Sequence, residues 1–347
     1  MLLPITYNAS LKDLNTFGVP SEAWALVSVE RWLQVAHAVA LADDANRPLL
    51  VLGEGSNLLL RGDYPGLVLR IHNQGCQIVD ERDGQVKIRV AAGERWHAVV
   101  MWAASQGLWG IENLALIPGM TGAAPMQNIG AYGAELAQVL TQLNCYDRVE
   151  QRWRTLVGEA CHFGYRTSRF READAERFVI TECVLTLTRD GSPNLTYPGV
   201  EAELETCRKR SGTADGTPIT PLEVARAVSS LRRKKLPSPE VVGNAGSFFK
   251  NPVVAEDHYE ALRTNHPGLP AYPAEAGHKK LSAAWMIEAC GWRGERRGDA
   301  GVSERHSLVL VNHGDATGQE IWQLAQDVAR SVHETFGVNL EPEPQLL

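Results

Sequence analysis

The sequence predicts an α+β protein with more than one domain. At 347 residues it is long enough for one to three domains with a sizeable core. Segments with strand and helix periodicity are mixed without strict βα alternation, which points to α+β subdomains. Composition also shifts near residue 217, where the polar, glycine-bearing stretch Lys209 to Gly216 precedes a strong helix start.

The first 20 residues are polar and turn-rich, with a compact loop at Leu14-Asn15-Thr16-Phe17-Gly18. A helix is expected over Glu30 to Asp43, with Leu33, Ala36, Val39 and Ala40 at helical spacing. Pro48 to Leu52 is a short apolar run read as a buried strand, and Leu58 to Leu60 and Leu67 to Ile71 read as two more. Between them lies Gly53-Glu54-Gly55-Ser56-Asn57. Such a turn either joins two strands or exposes backbone N–H groups as an anion-binding nest. It is not the dinucleotide fingerprint, since Leu58 stands where GxGxxG needs its third glycine.

Val86 to Val90 alternates as a strand. A helix follows over Glu94 to Gln106, stopped by Gly107. Leu116 to Gly133 holds four glycines, two prolines and three alanines, so it cannot be regular throughout. Its small residues let backbone approach a ligand closely. Strands are expected over Val139 to Tyr146 and Phe178 to Leu187, flanking the aromatic turn Phe163-Gly164-Tyr165-Arg166-Thr167-Ser168. Arg166 either caps that turn or offers a planar fork to a carboxylate or phosphate.

Thr220-Pro221-Leu222-Glu223 is a capping box with proline at the first helical position. The helix it opens ends in Arg232-Arg233-Lys234-Lys235, cations that suit either the helix dipole or a pyrophosphate. Gly243 to Pro252 then presents Ser247 beside Phe248 and Phe249. That serine reads as a nucleophile, a proton donor or a turn residue. A helix is expected over Lys279 to Gly291 and a strand over Ser307 to Asn312. A second capping box, Thr317-Gly318-Gln319-Glu320, opens the clearest amphipathic helix, with Ile321, Leu324, Ala325, Val328 and Val332 on one face.

Composition excludes several classes. The net charge of -7, from 34 basic and 41 acidic residues, argues against a nucleic-acid partner. The six cysteines, Cys76, Cys145, Cys161, Cys183, Cys207 and Cys290, form no CxxC pair and read as reduced thiols. The ten histidines show no HExxH spacing, so no metal is expected. The sequence shows neither a signal-peptide pattern nor a long apolar run, so a cytoplasmic protein without a membrane partner is expected.

Taken in order, these motifs resemble the UDP-N-acetylenolpyruvoylglucosamine reductase family, in its longer type with a tyrosine loop. The match comprises Leu14 to Gly18, Gly53 to Leu58, Ile117-Pro118-Gly119, Gln127 to Gly133, Phe163 to Arg166, Gly243 to Pro252 and Leu340-Glu341-Pro342-Glu343. Tyr272, within Ala271-Tyr272-Pro273, is similar to that loop's tyrosine. The resemblance implies a two-subdomain FAD-binding fold of the vanillyl-alcohol-oxidase (PCMH) type plus a C-terminal α+β substrate-binding domain. On this chain it places FAD-binding subdomain 1 at 1–72 and subdomain 2 at 73–216, with the tail 338–347 returning to the latter. The substrate-binding domain takes 217–337.

The resemblance further implies an FAD-dependent NADPH oxidoreductase of peptidoglycan precursor synthesis, a UDP-N-acetylmuramate dehydrogenase, acting as a monomer. NADPH reduces non-covalently bound FAD. Flavin N5 then delivers hydride to the enolpyruvyl ether of UDP-N-acetylglucosamine, giving UDP-N-acetylmuramate. Ser247 is implied as the proton donor, supported by Lys235 and Asn251. Arg166 and Glu343 are implied to stabilise the enolate. Glu343 must then be paired with Arg166 or held protonated, because carboxylates repel.

FAD is implied to contact Gly53, Glu54, Gly55, Ser56, Asn57, Leu58, Ile117, Pro118, Gly119, Thr121, Gln127 and Gly130, with backbone N–H groups holding its pyrophosphate. Substrate contacts are implied at Tyr132, Tyr197, Arg232, Lys235, Asn251 and Tyr272. Two departures stand out. Ala123-Ala124 replace serines found in many relatives, and after Glu343 the chain reads Pro-Gln-Leu-Leu where relatives often carry an arginine and a longer tail. The rival readings are an FAD oxidase using O₂, a serine hydrolase on Ser247 and a non-catalytic nucleotide-sugar binder. The hydrolase lacks a GxSxG elbow.

Overall fold

The computed structural model describes residues 3–214 and 216–347. Met1, Leu2 and Asp215, the last inside the expected Lys209 to Gly216 linker, lie outside the described residues. The chain divides into two compact units. The first takes 1–9, 23–54 and 65–233; the second takes 10–22, 55–64 and 234–347.

In the first unit, a four-stranded sheet has the order Ile5–Ser10, Glu22–Val29, Tyr64–Ile71, Leu49–Leu52. The last two strands are parallel, with Leu52 opposite Arg70. Strand Glu22–Val29 buries every second residue, the signature of a half-covered strand. Helix Gln34–Asp44 covers the sheet with Val35, Ala38, Val39 and Ala42, which pack among Val27, Leu49, Leu67 and Leu69.

A five-stranded antiparallel sheet follows, in the order Arg152–Val157, Leu140–Asp147, Phe178–Thr188, Gln85–Ala91, Cys76–Arg82. Helix Trp96–Ser105 buries Trp96, Val99, Val100 and Ala103 in the larger core, which also takes Val224, Ala225 and Val228 of helix Pro221–Lys235.

In the second unit, three strands pair antiparallel in the order Val253–Ala255, His278–Leu281, Ala271–Pro273. Arg296–Arg297, Ala300–Val302 and Leu310–Asn312 form another small sheet. Gln345–Leu346 pairs parallel with Leu58–Leu59. Helix Gly318–Phe336 buries Ile321, Leu324, Ala325, Val328, Val332 and Phe336, as its period requires. Its capping box closes as expected, and it ends at Gly337, whose φ is 65°.

Some local expectations are corrected. Ile5–Ser10 is a strand, although its residues look turn-like. The helix expected over Lys279 to Gly291 spans only Ala283–Ala289, because His278–Leu281 is claimed by strands on both sides. The polar stretch from Lys209 begins inside helix Val200–Ser211. All six cysteines are free thiols. Burial pushes Cys145 up to about 12 and Cys161 to about 11, so neither is a reactive thiolate. Among the described residues there is no metal-holding cluster and no helix long and apolar enough to cross a membrane.

Asp147 anchors the edge of the five-stranded sheet. It is fully buried and receives a bidentate fork from Arg177, at 3.1 Å from Nε and 2.8 Å from Nη2. Arg154 Nε adds a contact at 3.1 Å, and the Val149 and Glu150 N–H groups donate to Oδ1. The Arg177 fork leads in holding this carboxyl down at about 2. The unfolded chain binds its proton at about pH 3.9. The stabilisation is therefore full above that pH and is lost as pH falls through 4 toward 2. Asp147→Asn is expected to lower the urea midpoint at pH 7 and to flatten the fall in stability between pH 4 and 2, measured by urea unfolding across that range.

Candidate active site

The sequence-predicted residues gather into clusters that are described here within each unit. In the first unit, segment 114–121 is strapped to the start of helix Trp96–Ser105. The Trp96 N–H donates to Gly119 O at 3.0 Å and its indole to Leu114 O at 3.0 Å. The Thr121 N–H and hydroxyl both donate to Glu94 O, at 2.8 and 3.0 Å. The Gly119 N–H donates to Glu54 Oε2 at 2.8 Å, and Glu54 also pairs with Arg95 at 2.9 Å. Two N–H groups expected to face a pyrophosphate, those of Gly119 and Thr121, are thus already used inside the protein. Gly53 lies against Met120, and a Cβ there would stand 3.3 Å from the Met120 side chain.

Cations surround Glu54. Arg70 stands opposite Leu52, at the end of the strand that leads into Gly53. Desolvation pulls its guanidinium below its ordinary range, with Glu54 opposing the shift. Arg70 Nε is buried and has no hydrogen-bond partner. Two guanidiniums against one carboxylate, with one donor unused, fit a phosphorylated cofactor.

The turn carrying Arg166 is tied to segment 126–130. Ser168 Oγ donates to Met126 O at 2.7 Å, Arg171 Nη1 to Gln127 Oε1 at 3.1 Å, and Arg166 Nη2 to Gly130 O at 2.7 Å. A Cβ at Gly130 would stand 2.9 Å from Arg166 Nη1, so a side chain there would displace the guanidinium. Arg166 itself takes φ 55° and lies over the Tyr165 ring.

Buried Asn128 organises both strands of this arrangement. Its Nδ2 donates to Gly164 O at 3.1 Å and to Glu135 Oε2 at 2.9 Å, while its Oδ1 accepts from the Ala137 N–H at 2.9 Å. Tyr132, buried at φ 50°, meets the half-exposed Tyr197 edge to face at 4.8 Å. Burial raises the Tyr132 hydroxyl's pKa, while the charge of Arg232 works against that rise. Tyr132, Tyr197 and Arg232 are therefore brought together.

In the second unit, Ser247 and Glu343 are brought together by backbone pairing. Ser247 bridges Val309, Phe249 bridges Pro342, and the Phe248 N–H donates to Leu308 O at 2.7 Å. Glu343 N–H donates to Phe248 O at 2.8 Å, and Lys250 N–H to Glu341 O at 2.9 Å. Phe248 and Phe249 are fully buried, so the serine rides on an anchored segment.

Gly55 takes φ 62°, and a Cβ there would fall 2.2 Å from Leu14 O, so only glycine fits. Asn57 donates to Glu343 O at 3.3 Å, and Leu58 pairs with Gln345. Asn251 Oδ1 accepts the Ala283 N–H at 3.0 Å, which leaves its amide nitrogen for other contacts. Lys235 is exposed at the end of its helix, and its charge acts on half-buried His306. Tyr272 stands apart on the small sheet opposite Lys280.

Sequence reasoning missed Asn128, Glu94 and His97. A polar residue set among small apolar ones was the available signal for Asn128. The other two act only through contacts distant in sequence.

A family model described as "UDP-N-acetylenolpyruvoylglucosamine reductase, C-terminal domain" matches residues 237–347, and one described as "FAD binding domain" matches 23–151. The chain is 45% identical over 345 residues to a UDP-N-acetylenolpyruvoylglucosamine reductase of Xanthomonas axonopodis pv. citri (strain 306), covering 99% of this chain and 96% of that relative. A reductase of the same name from Xylella fastidiosa (strain M12) is 45% identical over 348 residues, covering 98% and 95%. The crystal structure of UDP-N-acetylenolpyruvylglucosamine reductase from Thermus caldophilus superposes with a TM-score of 0.67 at 26% identity, covering 100% of this chain and 99% of that one.

Asn128→Ala removes three hydrogen bonds at a buried position of φ 46°. It is expected to cost about 2 kcal/mol by leaving buried backbone groups unmet. Amide exchange over residues 163–171 should quicken more than exchange in the five-stranded sheet, as hydrogen-exchange mass spectrometry would show.

Proposed function

The chain belongs to the UDP-N-acetylenolpyruvoylglucosamine reductase family, and we propose that it reduces the enolpyruvyl ether of UDP-N-acetylglucosamine to UDP-N-acetylmuramate, with electrons from NADPH carried by non-covalently held FAD. The family is one of FAD-dependent oxidoreductases, and the matched FAD-binding domain supports the cofactor. The observation that carries the assignment is the likeness along nearly the full length of both chains. In this reading FAD-binding subdomains occupy 1–72 and 73–216, and a substrate-binding part begins near 217. The enzyme works as a cytoplasmic monomer.

Bound flavin supplies the two-electron transfer. The protein must do the rest: orient the enolpyruvyl group, stabilise negative charge on its carboxylate side and deliver one proton to the α-carbon. Arg166 takes the substrate carboxylate in its fork. Its attachment to Gly130 fixes where that fork begins. Ser247 gives the proton. A serine hydroxyl is a weak acid, so fixed placement matters more than intrinsic acidity. Placement is supported by the ladder through Phe248 and by Asn244, whose Oδ1 accepts from the Gly246 N–H at 3.0 Å and whose Nδ2 donates to Val242 O at 2.8 Å.

Lys235 supplies positive charge near the developing anion. Glu343 acts beside Ser247, and the reading leaves it paired with Arg166 or protonated. Tyr132, Tyr197 and Arg232 hold the nucleotide-sugar with Asn251 and Tyr272. Gly53 to Leu58, Ile117 to Gly119, Thr121, Gln127 and Gly130 hold FAD, and Arg70 adds a cation to that set.

The test is NADPH oxidation by the purified flavoprotein with and without UDP-N-acetylglucosamine-enolpyruvate. Strong stimulation by this substrate is expected, and none would defeat the reading. Ser247→Ala should keep FAD and still oxidise NADPH in the first half-reaction. Reoxidation of its reduced flavin by the enolpyruvyl substrate should slow by roughly 10²–10⁴, the worth of a positioned proton donor. Stopped-flow absorbance of the flavin separates the two halves, and unchanged reoxidation would remove Ser247 from the proton-donor role.

A further inference from the structure

Leu116 is a leucine in a conformation that suits glycine, with φ 59°. A β-carbon there costs about 1–2 kcal/mol unless neighbours hold the backbone. Both of its backbone groups are held by side chains. Its N–H donates to His97 Nδ1 at 3.0 Å, and its carbonyl accepts from Arg232 Nε at 3.2 Å. The residues that follow are Ile117-Pro118-Gly119, the segment assigned above to the cofactor.

His97 is the second residue of helix Trp96–Ser105, and that helix start already holds the rest of the segment. Trp96 takes Leu114 O and Gly119 O, while Glu94 O takes Thr121. Leu116 lies between these ties, at the point where the chain reverses hand.

An imidazole that accepts at Nδ1 must be neutral and carry its proton on Nε2. A second proton would turn the acceptor into a donor facing an N–H. We propose that neutral His97 is the positioning residue of the flavin loop, and that its protonation releases Leu116 and with it FAD. The flavin half of the proposal rests on the reading that 116–121 holds the cofactor.

The surroundings favour the neutral form. Burial comes first, and the charges of Arg233 and Arg232, both from helix Pro221–Lys235, add to it. Together they move His97 below the ordinary histidine range. The lock is therefore intact at neutral pH and lost as pH falls through that lowered value. His97 contacts no reacting atom in this scheme and acts only through the backbone of Leu116.

The experiment uses the FAD-loaded protein, with released FAD read by its fluorescence between pH 7.5 and 5. Exchange at peptides containing Leu116 is measured in the same samples. Wild type should lose FAD progressively as pH falls toward 5, with faster exchange at Leu116 over the same range. His97→Asn keeps at the Nδ1 position an acceptor that does not titrate, so its retention should stay flat across the range. His97→Ala should retain FAD at least tenfold less tightly even at pH 7.5. Acid release from His97→Asn that matches wild type, or exchange at Leu116 indifferent to pH and to His97, overturns the lock. Exchange that responds while FAD retention does not would sustain the lock and overturn the assignment of this loop to the cofactor.

Discussion

The strapping of segment 114–121 to the start of helix Trp96–Ser105 is the constraint on which the first unit's functional surface depends. A stretch with one proline, one glycine and a positive-φ leucine has little preference for one conformation of its own. It gains one from outside, because the helix start offers what the segment lacks: an indole donor for Leu114, an imidazole acceptor for Leu116 and a carbonyl for Thr121. Glu54 closes the arrangement at Gly119. Its carboxylate sits where a phosphate-binding loop would be expected to present a bare N–H. Arg95 and the half-buried Arg70 offset its charge. The segment is therefore ordered and hydrogen-bonded by the protein alone, which reduces the ordering cost of taking up any ligand there.

Much of the fold was legible because several elements depend on local rules. Helix Gly318–Phe336 shows both its period and its cap in the sequence, and both appear in the structure. The strand Gln85–Ala91 and the helix after it follow the same logic. Elements defined by distant partners were not legible. His278–Leu281 reads as the first turn of a helix, yet two flanking strands take its backbone groups, and helix formation is deferred to Ser282, whose hydroxyl caps it. Ile5–Ser10 carries asparagine and serine, which favour turns in isolation, and becomes an edge strand beside Glu22–Val29.

The site divides in the same way. Motifs with unusual composition mark the segments proposed to carry function: Gly53 to Asn57, the small-residue stretch from Leu116, the Arg166 turn and the Ser247 segment. What the motifs could not announce is how they are held. His97 is one histidine on an amphipathic helix face, and nothing within several residues marks it as the acceptor for a strained turn. Glu54 looks like a spacer between glycines and proves to be a ligand for Gly119. Contacts of this kind join residues 19 and 65 positions apart, beyond the reach of any pattern along the chain.

Buried asparagine is the recurrent answer to irregular backbone in both units. Asn15, Asn73, Asn113, Asn128, Asn244 and Asn312 are all buried, and each bonds to loop or turn backbone. The amide suits this work because it both donates and accepts, so one side chain can satisfy N–H and C=O groups that no ladder reaches. Aspartate would bring a buried charge, and leucine would leave the backbone groups unmet. Two of the proposed catalytic residues each have such a neighbour. Asn128 fixes the Gly164 carbonyl two residues before Arg166, and Asn244 fixes the Gly246 N–H one residue before Ser247. A fork that must meet a carboxylate and a hydroxyl that must meet one face of one carbon need defined positions more than they need unusual acidity or charge. These asparagines provide that definition through main-chain contacts, and the Gly130 carbonyl adds a further hold on the Arg166 guanidinium itself.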